Sequence, residues 1–239
     1  MAQIRARIGY TSVAFVTEIF PMAFYDIVPD GVVLSFLTMQ QMSSTGDEMK
    51  RIHGNGNDAA PCFVRAGCDV VILGGAPTNL SHGSDSLTQV LEGMAGEFGI
   101  PVSSSASAQN KALLTLGAKN VGVVHPAPQN TSGRHDRQLI EIGMIPSGSL
   151  GAGAELEDYN RIPKEAALTL GRELKRDHPE LDTLLFTCPH WAQVHAIEPL
   201  EAELGINVVT SLQAITWDGL RLAGIDDPID GYGRLLRDH

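Results

Sequence analysis

The chain has 239 residues, of which 43% are hydrophobic and 19% charged, a balance typical of a globular protein and not of a disordered one. Its 17 Lys and Arg against 28 Asp and Glu give a formal net charge of −11, which argues against a nucleic-acid or acidic-membrane partner because phosphate binding requires clustered cations. No apolar run is long enough for a membrane span, and the three cysteines lack a disulfide-like or metal-like spacing, so we expect a reduced, cytoplasmic protein.

Short β-branched runs alternate with longer helical patterns, as in parallel βαβ units. The predicted strands are, in chain order, Arg5–Tyr10, Val32–Leu37, Asp69–Leu73, Val102–Ser103, Val121–Val124, Thr183–Thr187 and Asn207–Val209. The predicted helices are Thr17–Tyr25, Ser86–Phe98, Ala106–Leu116, Arg134–Ile142, Lys164–Asp177, Ile197–Leu204 and Leu212–Ala223. A further helix is expected within Met49–Gly67, but Gly54 and Gly56 leave open whether it is continuous.

The second half of the chain repeats the first. Segment 99–102 (Gly-Ile-Pro-Val) matches 205–208 (Gly-Ile-Asn-Val), and seven identities fall at this one offset of 106 within eighteen positions. Upstream, 69–75 parallels 182–188 in the same strand-to-loop order. The repeat predicts an α/β fold with two similar doubly wound parallel-sheet lobes related by a pseudo-twofold axis. We assign residues 1–104 plus 212–239 to the first lobe and 105–211 to the second.

The repeat also predicts where a ligand binds. In open parallel sheets, ligands bind beyond the carboxyl ends of the strands, and the equivalent loops here are 74–79 (Gly-Gly-Ala-Pro-Thr-Asn) and 188–190 (Cys-Pro-His). We expect these two loops to face each other across a cleft between the lobes.

Of the three cysteines, Cys188 is the candidate for chemistry. It ends an apolar strand at the edge where active sites form, and a suitably placed thiol can accept or donate a proton. A structural thiol is the alternative interpretation of Cys188. Cys68, at the amino end of its strand, and Cys62, in an apolar helical pattern, are expected to be buried structural thiols.

Several segments carry a family resemblance, most clearly 217–224 (Trp-Asp-Gly-Leu-Arg-Leu-Ala-Gly) and 231–235 (Gly-Tyr-Gly-Arg-Leu), with support from 121–124 and 203–206. With these motifs the chain resembles the aspartate/glutamate racemase superfamily, which includes arylmalonate decarboxylase, maleate cis-trans isomerase and the hydantoin and allantoin racemases. It is most similar to the decarboxylase-like and maleate isomerase-like members. The resemblance covers nearly the whole chain and implies two doubly wound lobes with the active site between them.

The resemblance also bears on the reaction. Superfamily racemases and isomerases use two cysteines, one at each strand-end loop, whereas here the second position is Cys188 and the first falls on Gly75. A racemase handles protons on both faces of a carbon, while a decarboxylase needs one thiol to protonate the enediolate left by CO₂. Arylmalonate decarboxylase resembles this chain in having glycine at the first position. The resemblance therefore implies a cofactor-independent decarboxylase of a substituted malonate-type diacid, with Cys188 as proton donor.

The rest of the decarboxylase pattern fits less well. The positions that supply hydroxyl donors to the enediolate in that enzyme correspond to Ala76, Pro77 and Ala127, whose side chains donate no hydrogen bond. The first-loop asparagine of the isomerase is also missing, since 12–15 reads Ser-Val-Ala-Phe. Thr78, Asn79, His125 or backbone N–H groups could replace these donors.

An anionic substrate has few cations near the predicted loops, so we expect helix N-termini to bind it through their N–H groups. Six hydroxyl residues lie at strand-to-helix junctions, where each is either a helix cap or a ligand contact: Ser12, Thr78, Ser104, Ser105, Thr210 and Ser211. His125 and His190 are either structural or oriented toward the thiol and substrate. The candidate site thus comprises catalytic Cys188 with Gly75, Ala76, Pro77, Thr78, Asn79, Ser12, His125, Pro189 and His190.

Two other functions stay open at this point. One is an isomerase or racemase that uses Cys188 with a non-thiol partner such as His125, and the other is a non-catalytic protein that binds a small acid. In each case the expected partner is a small carboxylate, and a homo-oligomer is possible. No metal or other cofactor is expected, because the histidines form no ligand-like constellation and the glycine strings match no dinucleotide loop.

Overall fold

Two four-stranded parallel sheets form the framework of the chain in a computed structural model that describes residues 3–42, 46–75, 84–129 and 133–239. The first sheet has the order β2-β1-β3-β4, with strands β1 (Ala6–Ser12), β2 (Val32–Thr38), β3 (Val70–Leu73) and β4 (Val102–Ser104). The second has the order β6-β5-β7-β8, with strands β5 (Asn120–His125), β6 (Ile145–Gly151), β7 (Thr183–Phe186) and β8 (Asn207–Thr210). The predicted α/β fold with two similar parallel-sheet lobes is confirmed.

Helices connect and cover these strands. They are α1 (Ile19–Ile27), α2 (Gly46–Arg65), α3 (Ser84–Phe98), α4 (Ser105–Thr115), α5 (Gly133–Glu141), α6 (Glu165–Asp177), α7 (Ile197–Leu204), α8 (Ser211–Leu222) and α9 (Arg234–Asp238). Short 3₁₀ turns span Leu156–Arg161 and Val194–Ala196.

The third strand of each sheet pairs with its two neighbours in the same way. In the first, Leu73 at the end of β3 lies opposite Thr11 and Ser104. In the second, Phe186 at the end of β7 lies opposite Val124 and Thr210. This register confirms the repeat that the sequence predicted, and it makes each strand-end residue of one sheet the counterpart of a defined residue in the other.

Helix α2 runs without a break through Gly54 and Gly56, which answers the question left open by the sequence. Ile52, Ala60 and Phe63 are buried on one of its faces, and Phe63 packs so closely on Gly9 that a Cβ there would lie 2.7 Å from its ring. Tertiary packing therefore outweighs the low helix propensity of the glycines.

Helices α4 and α8, which follow the last strand of each sheet, pack against each other at the junction of the two sheets. Gly219 of α8 lies against Ile8 and Ile72 of the first sheet, with 3.0 Å between its Cβ position and Ile72 Cδ1. Helix α4 contacts the second half, because Asn110 accepts a hydrogen bond of 2.7 Å from Gln138 of α5. The lobe boundaries assigned from the sequence stay a prediction.

A partly buried ion pair links these elements. Asp218 of α8 accepts hydrogen bonds from Ser103 of β4 and from Lys111 of α4, the latter at 2.8 Å. The Asp218 side chain is only 4% exposed, so its charge depends on these two partners.

Candidate active site

Gly75 and Cys188 occupy the same place in the two halves. Each is the second residue after the last paired residue of its strand, Leu73 or Phe186. Both have a left-handed backbone, with φ of +86° at Gly75 and +65° at Cys188. Glycine adopts this conformation freely, whereas a residue with a Cβ is strained in it, and such strain in folded proteins concentrates at functional sites.

The loop after β7 holds Cys188 in this conformation. Trp191 is fully buried and its Nε1 donates a hydrogen bond of 2.8 Å to the carbonyl of Thr187, while the side-chain amide of Gln193 donates to the carbonyl of Cys188. Pro189, the residue after Cys188, is also buried. The backbone on both sides of the thiol is therefore fixed by side chains of its own loop.

Cys188 itself is half-buried. Burial raises the pKa of its thiol to about 12, an effect that the backbone N–H of His190 offsets only in part. At neutral pH the group is therefore a protonated thiol, which can give a proton but is a poor base or nucleophile.

His190 connects this loop to the first sheet. Its Nε2 lies 3.1 Å from Oγ of Ser12, the last residue of β1, and the imidazole is 2% exposed. Burial lowers the pKa of His190 to about 4, although the nearby Glu18 acts in the opposite direction, so the ring is neutral at pH 7. The structure thus brings together Ser12 and His190, two residues that the sequence proposed separately.

Tyr10 is a neighbour of Cys188 that the sequence analysis missed. Its hydroxyl oxygen lies 3.1 Å from the position that a Cβ on Gly74 would take. Burial raises the pKa of Tyr10; the adjacent Ser105 hydroxyl lowers it in part, and the charge of an ionised Cys188 would raise it further. The phenol is therefore a neutral O–H group on the first-lobe side of the thiol.

The hydroxyl residues at the helix starts divide into two roles. Ser104 and Thr210 are N-caps, which accept hydrogen bonds of 3.1 Å from the N–H groups of Ser107 and Gln213. The following residues, Ser105 and Ser211, are buried, and neither hydroxyl has a hydrogen-bond partner within the described residues. Capping thus accounts for one residue of each pair and leaves the other available to a ligand.

Comparison with known proteins places the chain in a family. The family model described as arylmalonate decarboxylase matches residues 29–236. The chain belongs to the arylmalonate decarboxylase family. This membership confirms the predicted superfamily, and it makes the chain an enzyme whose relatives are a lyase and an isomerase.

Two curated relatives are named for these two activities, decarboxylation and isomerisation. Arylmalonate decarboxylase of Bordetella bronchiseptica is 27% identical over 181 residues, which cover 75% of each chain. Maleate isomerase of Nocardia farcinica (strain IFM 10152) is 28% identical over 182 residues, which cover 75% of this chain and 71% of that one.

Solved structures of this family share the fold. A liganded arylmalonate decarboxylase variant, with one glycine changed to cysteine and one cysteine to serine, is 23% identical with a TM-score of 0.89 over 98% of this chain and 100% of that one. The Nocardia farcinica maleate cis-trans isomerase with a covalently bound succinylcysteine intermediate is 22% identical, with a TM-score of 0.84 over 98% and 99% of the two chains. At these identities the likeness establishes the fold alone.

The structure places another predicted site residue, His125, beside the outer strand of the second sheet. The His125 ring stacks on His135 at 6.4 Å between centroids, and its Cε1 lies 2.7 Å from the Cβ position of Gly151. It therefore packs toward the outer strand of the second sheet, and burial lowers its pKa. Four of the proposed contacts lie outside the described residues: Ala76, Pro77, Thr78 and Asn79.

The remaining cysteines give one confirmation and one correction. Cys68 is buried against the strands of the first sheet, as predicted. Cys62 is exposed, so its prediction as a buried thiol was wrong. It lies on the solvent side of α2, and the buried face of that helix is formed by Ala60 and Phe63 instead.

Two further features are absent from the described residues. None of the helices there is both long and apolar enough to cross a membrane. No three His, Cys, Asp or Glu side chains within the described ranges cluster as metal ligands would.

Proposed function

We propose that the chain is a decarboxylase of a substituted malonate-type diacid in which the Cys188 thiol protonates the enediolate. The observation that carries the proposal is the pairing of Gly75 with Cys188 at equivalent positions, since it leaves one thiol where two-sided proton chemistry would need two groups. Family membership supports the proposal, because one curated relative is named for the decarboxylation of arylmalonates.

The protonation state of Cys188 points to the same role. With a pKa of about 12 the thiol carries its proton throughout the neutral range. In the proposed reaction the bond between the α-carbon and one carboxylate breaks, CO₂ leaves, and the electron pair remains as an enediolate. The thiol proton then forms the new C–H bond, and the resulting thiolate regains a proton from water.

Ser12 and His190 support the thiol in this scheme. A neutral His190 adds no positive charge that would stabilise a resting thiolate, and its hydrogen bond to Ser12 holds the loop of the second sheet against the first. These two residues are therefore proposed to position Cys188 and to border the substrate.

The test is turnover of an α-aryl-α-alkylmalonate in D₂O, followed by CO₂ release and by deuterium in the product. We expect one deuterium at the α-carbon, and we expect Cys188→Ala to lower kcat by about a hundredfold to ten-thousandfold, the usual contribution of a positioned acid. Cys62→Ala is the matched control and should retain wild-type turnover, since Cys62 is an exposed residue of α2. Release of no CO₂, with α-proton exchange or cis-trans isomerisation of carboxylic acids instead, would reject the decarboxylase.

A further inference from the structure

Two buried hydroxyl groups lie together at the carboxyl edge of the first sheet. The register places Leu73 opposite Ser104, so Gly74 and Ser105 follow the ends of adjacent strands, whereas Tyr10 lies opposite Ile72, farther inside the sheet. The Tyr10 side chain nevertheless extends to this edge, because its hydroxyl lies beside Gly74. Tyr10 is 1% exposed and Ser105 is 2% exposed, so both hydroxyl-bearing residues are enclosed.

The Tyr10 side chain is oriented by aromatic packing. Its ring stacks on Phe20 with 4.2 Å between centroids and an angle of 17°, and it also contacts Phe36. This packing directs the hydroxyl toward Gly74, where a Cβ would lie 3.1 Å from the phenol oxygen. A Cβ at Gly74 would also clash with the Thr11 carbonyl oxygen, so only glycine lets this backbone lie close to β1 and to the phenol oxygen.

Ser105 contributes a hydroxyl with no structural use. It is the first residue of the eleven-residue helix α4, and the capping bond there is made by Ser104 instead. The Ser105 Oγ is close enough to the Tyr10 hydroxyl to lower the pKa of that phenol, but it completes no hydrogen bond of regular geometry within the described part of the chain. A buried hydroxyl without a well-formed hydrogen bond is destabilising, and a ligand oxygen would relieve that cost.

We propose that Tyr10 and Ser105 form a hydroxyl subsite that donates hydrogen bonds to one carboxylate oxygen of the substrate held at Cys188. This inference rests on the proposed function and adds the donors that it lacked, since Ala76, Pro77 and Ala127 have no side-chain O–H group. Hydroxyl donors suit a substrate whose charge grows on the retained carboxylate as the enediolate forms. The positive end of the α4 backbone dipole favours the same anion.

The test compares Tyr10→Phe and Ser105→Ala with the wild-type enzyme. Tyr10→Phe keeps the ring stacked on Phe20 and removes only the hydroxyl. The matched control is Tyr232→Phe, which removes a phenol that donates 2.8 Å to the carbonyl of Asp26. Binding of malonate is measured by calorimetry, and CO₂ release from phenylmalonate is measured in parallel.

We expect each subsite variant to weaken malonate binding about tenfold, as the loss of a hydrogen bond to a charged group does. We expect kcat for phenylmalonate to fall further than the affinity for malonate, because the enediolate carries more charge than the bound carboxylate. Tyr232→Phe should differ from wild type by less than about twofold in both measurements. Should Tyr10→Phe fail to fold, Ser105→Ala decides alone.

Malonate binding and CO₂ release together separate the hydroxyl-subsite hypothesis from the decarboxylase hypothesis. If the wild-type protein binds malonate but releases no CO₂, the decarboxylase proposal fails while the binding data still decide the subsite. Wild-type affinity in both Tyr10→Phe and Ser105→Ala overturns the subsite, and so does a wild-type protein that does not bind malonate.

Discussion

Cys188 combines a reactive thiol with an unfavourable, left-handed backbone conformation. In the described part of the chain, Cys188 and Gln40 are the non-glycine residues with positive φ. A Cβ in this region raises the energy of the folded state, and the counterpart residue, Gly75, avoids that cost. The thiol is therefore present at this position at the expense of stability, as expected of a residue kept for chemistry.

Replacing Cys188 by Gly and by Ala separates these two properties. Both variants lose the thiol and turnover, but we expect Cys188→Gly to be more stable than Cys188→Ala by about 1 kcal/mol, because only alanine keeps a Cβ at positive φ. Urea unfolding of the two variants measures the difference. At Cys62, in the last turn of α2, the order should reverse, since glycine weakens a helix by up to about 1 kcal/mol relative to alanine. Equal stability of the two Cys188 variants would show that the left-handed backbone is unstrained.

His190 makes stability depend on pH in a defined window. Its pKa is about 4 in the folded protein and 6.5 in the unfolded chain. Between these values the unfolded chain binds the proton and the native protein does not, so the free energy of unfolding falls as the pH falls, by up to about 1.4 kcal/mol per unit. Below pH 4 both states are protonated and this contribution no longer changes.

The variant His190→Asn should therefore flatten the pH dependence of the free energy of unfolding between pH 4 and 6.5, measured by urea titration at half-unit steps. His239→Asn, at the exposed C-terminal residue, is the control and should leave the wild-type slope unchanged. A slope for His190→Asn as steep as that of wild type would mean that carboxylates, and not this imidazole, cause the acid sensitivity.

Tyr10 shows where single-residue prediction from the sequence stops. The sequence located Cys188, Gly75, Ser12 and His190 through the repeat and the strand ends. It made Tyr10 the last residue of the predicted strand Arg5–Tyr10, where a tyrosine is ordinarily a core residue, and no local pattern distinguishes it from one. Its role depends on the approach of Gly74 and Ser105 from neighbouring strands, a relation that only the sheet register supplies.

At the scale of secondary structure, the Lys111–Asp218 pair links three elements of the two halves. Lys111 is 45% exposed but Asp218 is buried. In Lys111→Met the Asp218 carboxylate keeps the hydrogen bond from the Ser103 hydroxyl and loses the one from the lysine ammonium group. We expect the variant to lose about 1.5–3 kcal/mol, the usual value of a hydrogen bond to a charged group. The same substitution at exposed Lys119 should change stability by less than about 0.5 kcal/mol. Thermal and urea unfolding measure both, and equal effects would show that the pair contributes nothing.

Most strands were predicted from short apolar or β-branched segments between helical patterns. Strands β1, β2, β3, β4, β5, β7 and β8 were found to within two residues at each end, and β3 is an uninterrupted Val-Val-Ile-Leu run. Strand β6 was missed because Pro146 and Gly148 interrupt it. An edge strand tolerates both residues, since one side of its backbone needs no partner.

At the scale of the whole molecule, the two lobes share one core. The largest buried cluster contains Ile8 and Ile72 of the first sheet together with Val123 and Val209 of the second. Helices α4 and α8, which pack on each other, belong to the same cluster. Because apolar area is buried between the halves as well as within them, neither half can unfold without exposing the core of the other.

This arrangement predicts a single unfolding transition, and the two tryptophans allow the test. Trp191 lies in a cluster confined to the second half, whereas Trp217 is on α8 in the shared core. Trp217→Phe leaves Trp191 as the fluorescent reporter, and Trp191→Phe leaves Trp217. Within each variant we expect the fluorescence midpoint in urea to coincide with the midpoint from far-ultraviolet circular dichroism. Comparing two probes within one protein removes the effect of the substitution on stability. A Trp191 midpoint that departs from the dichroism midpoint would mean that the lobes unfold separately, and that the cleft holding Cys188 can open without loss of either lobe.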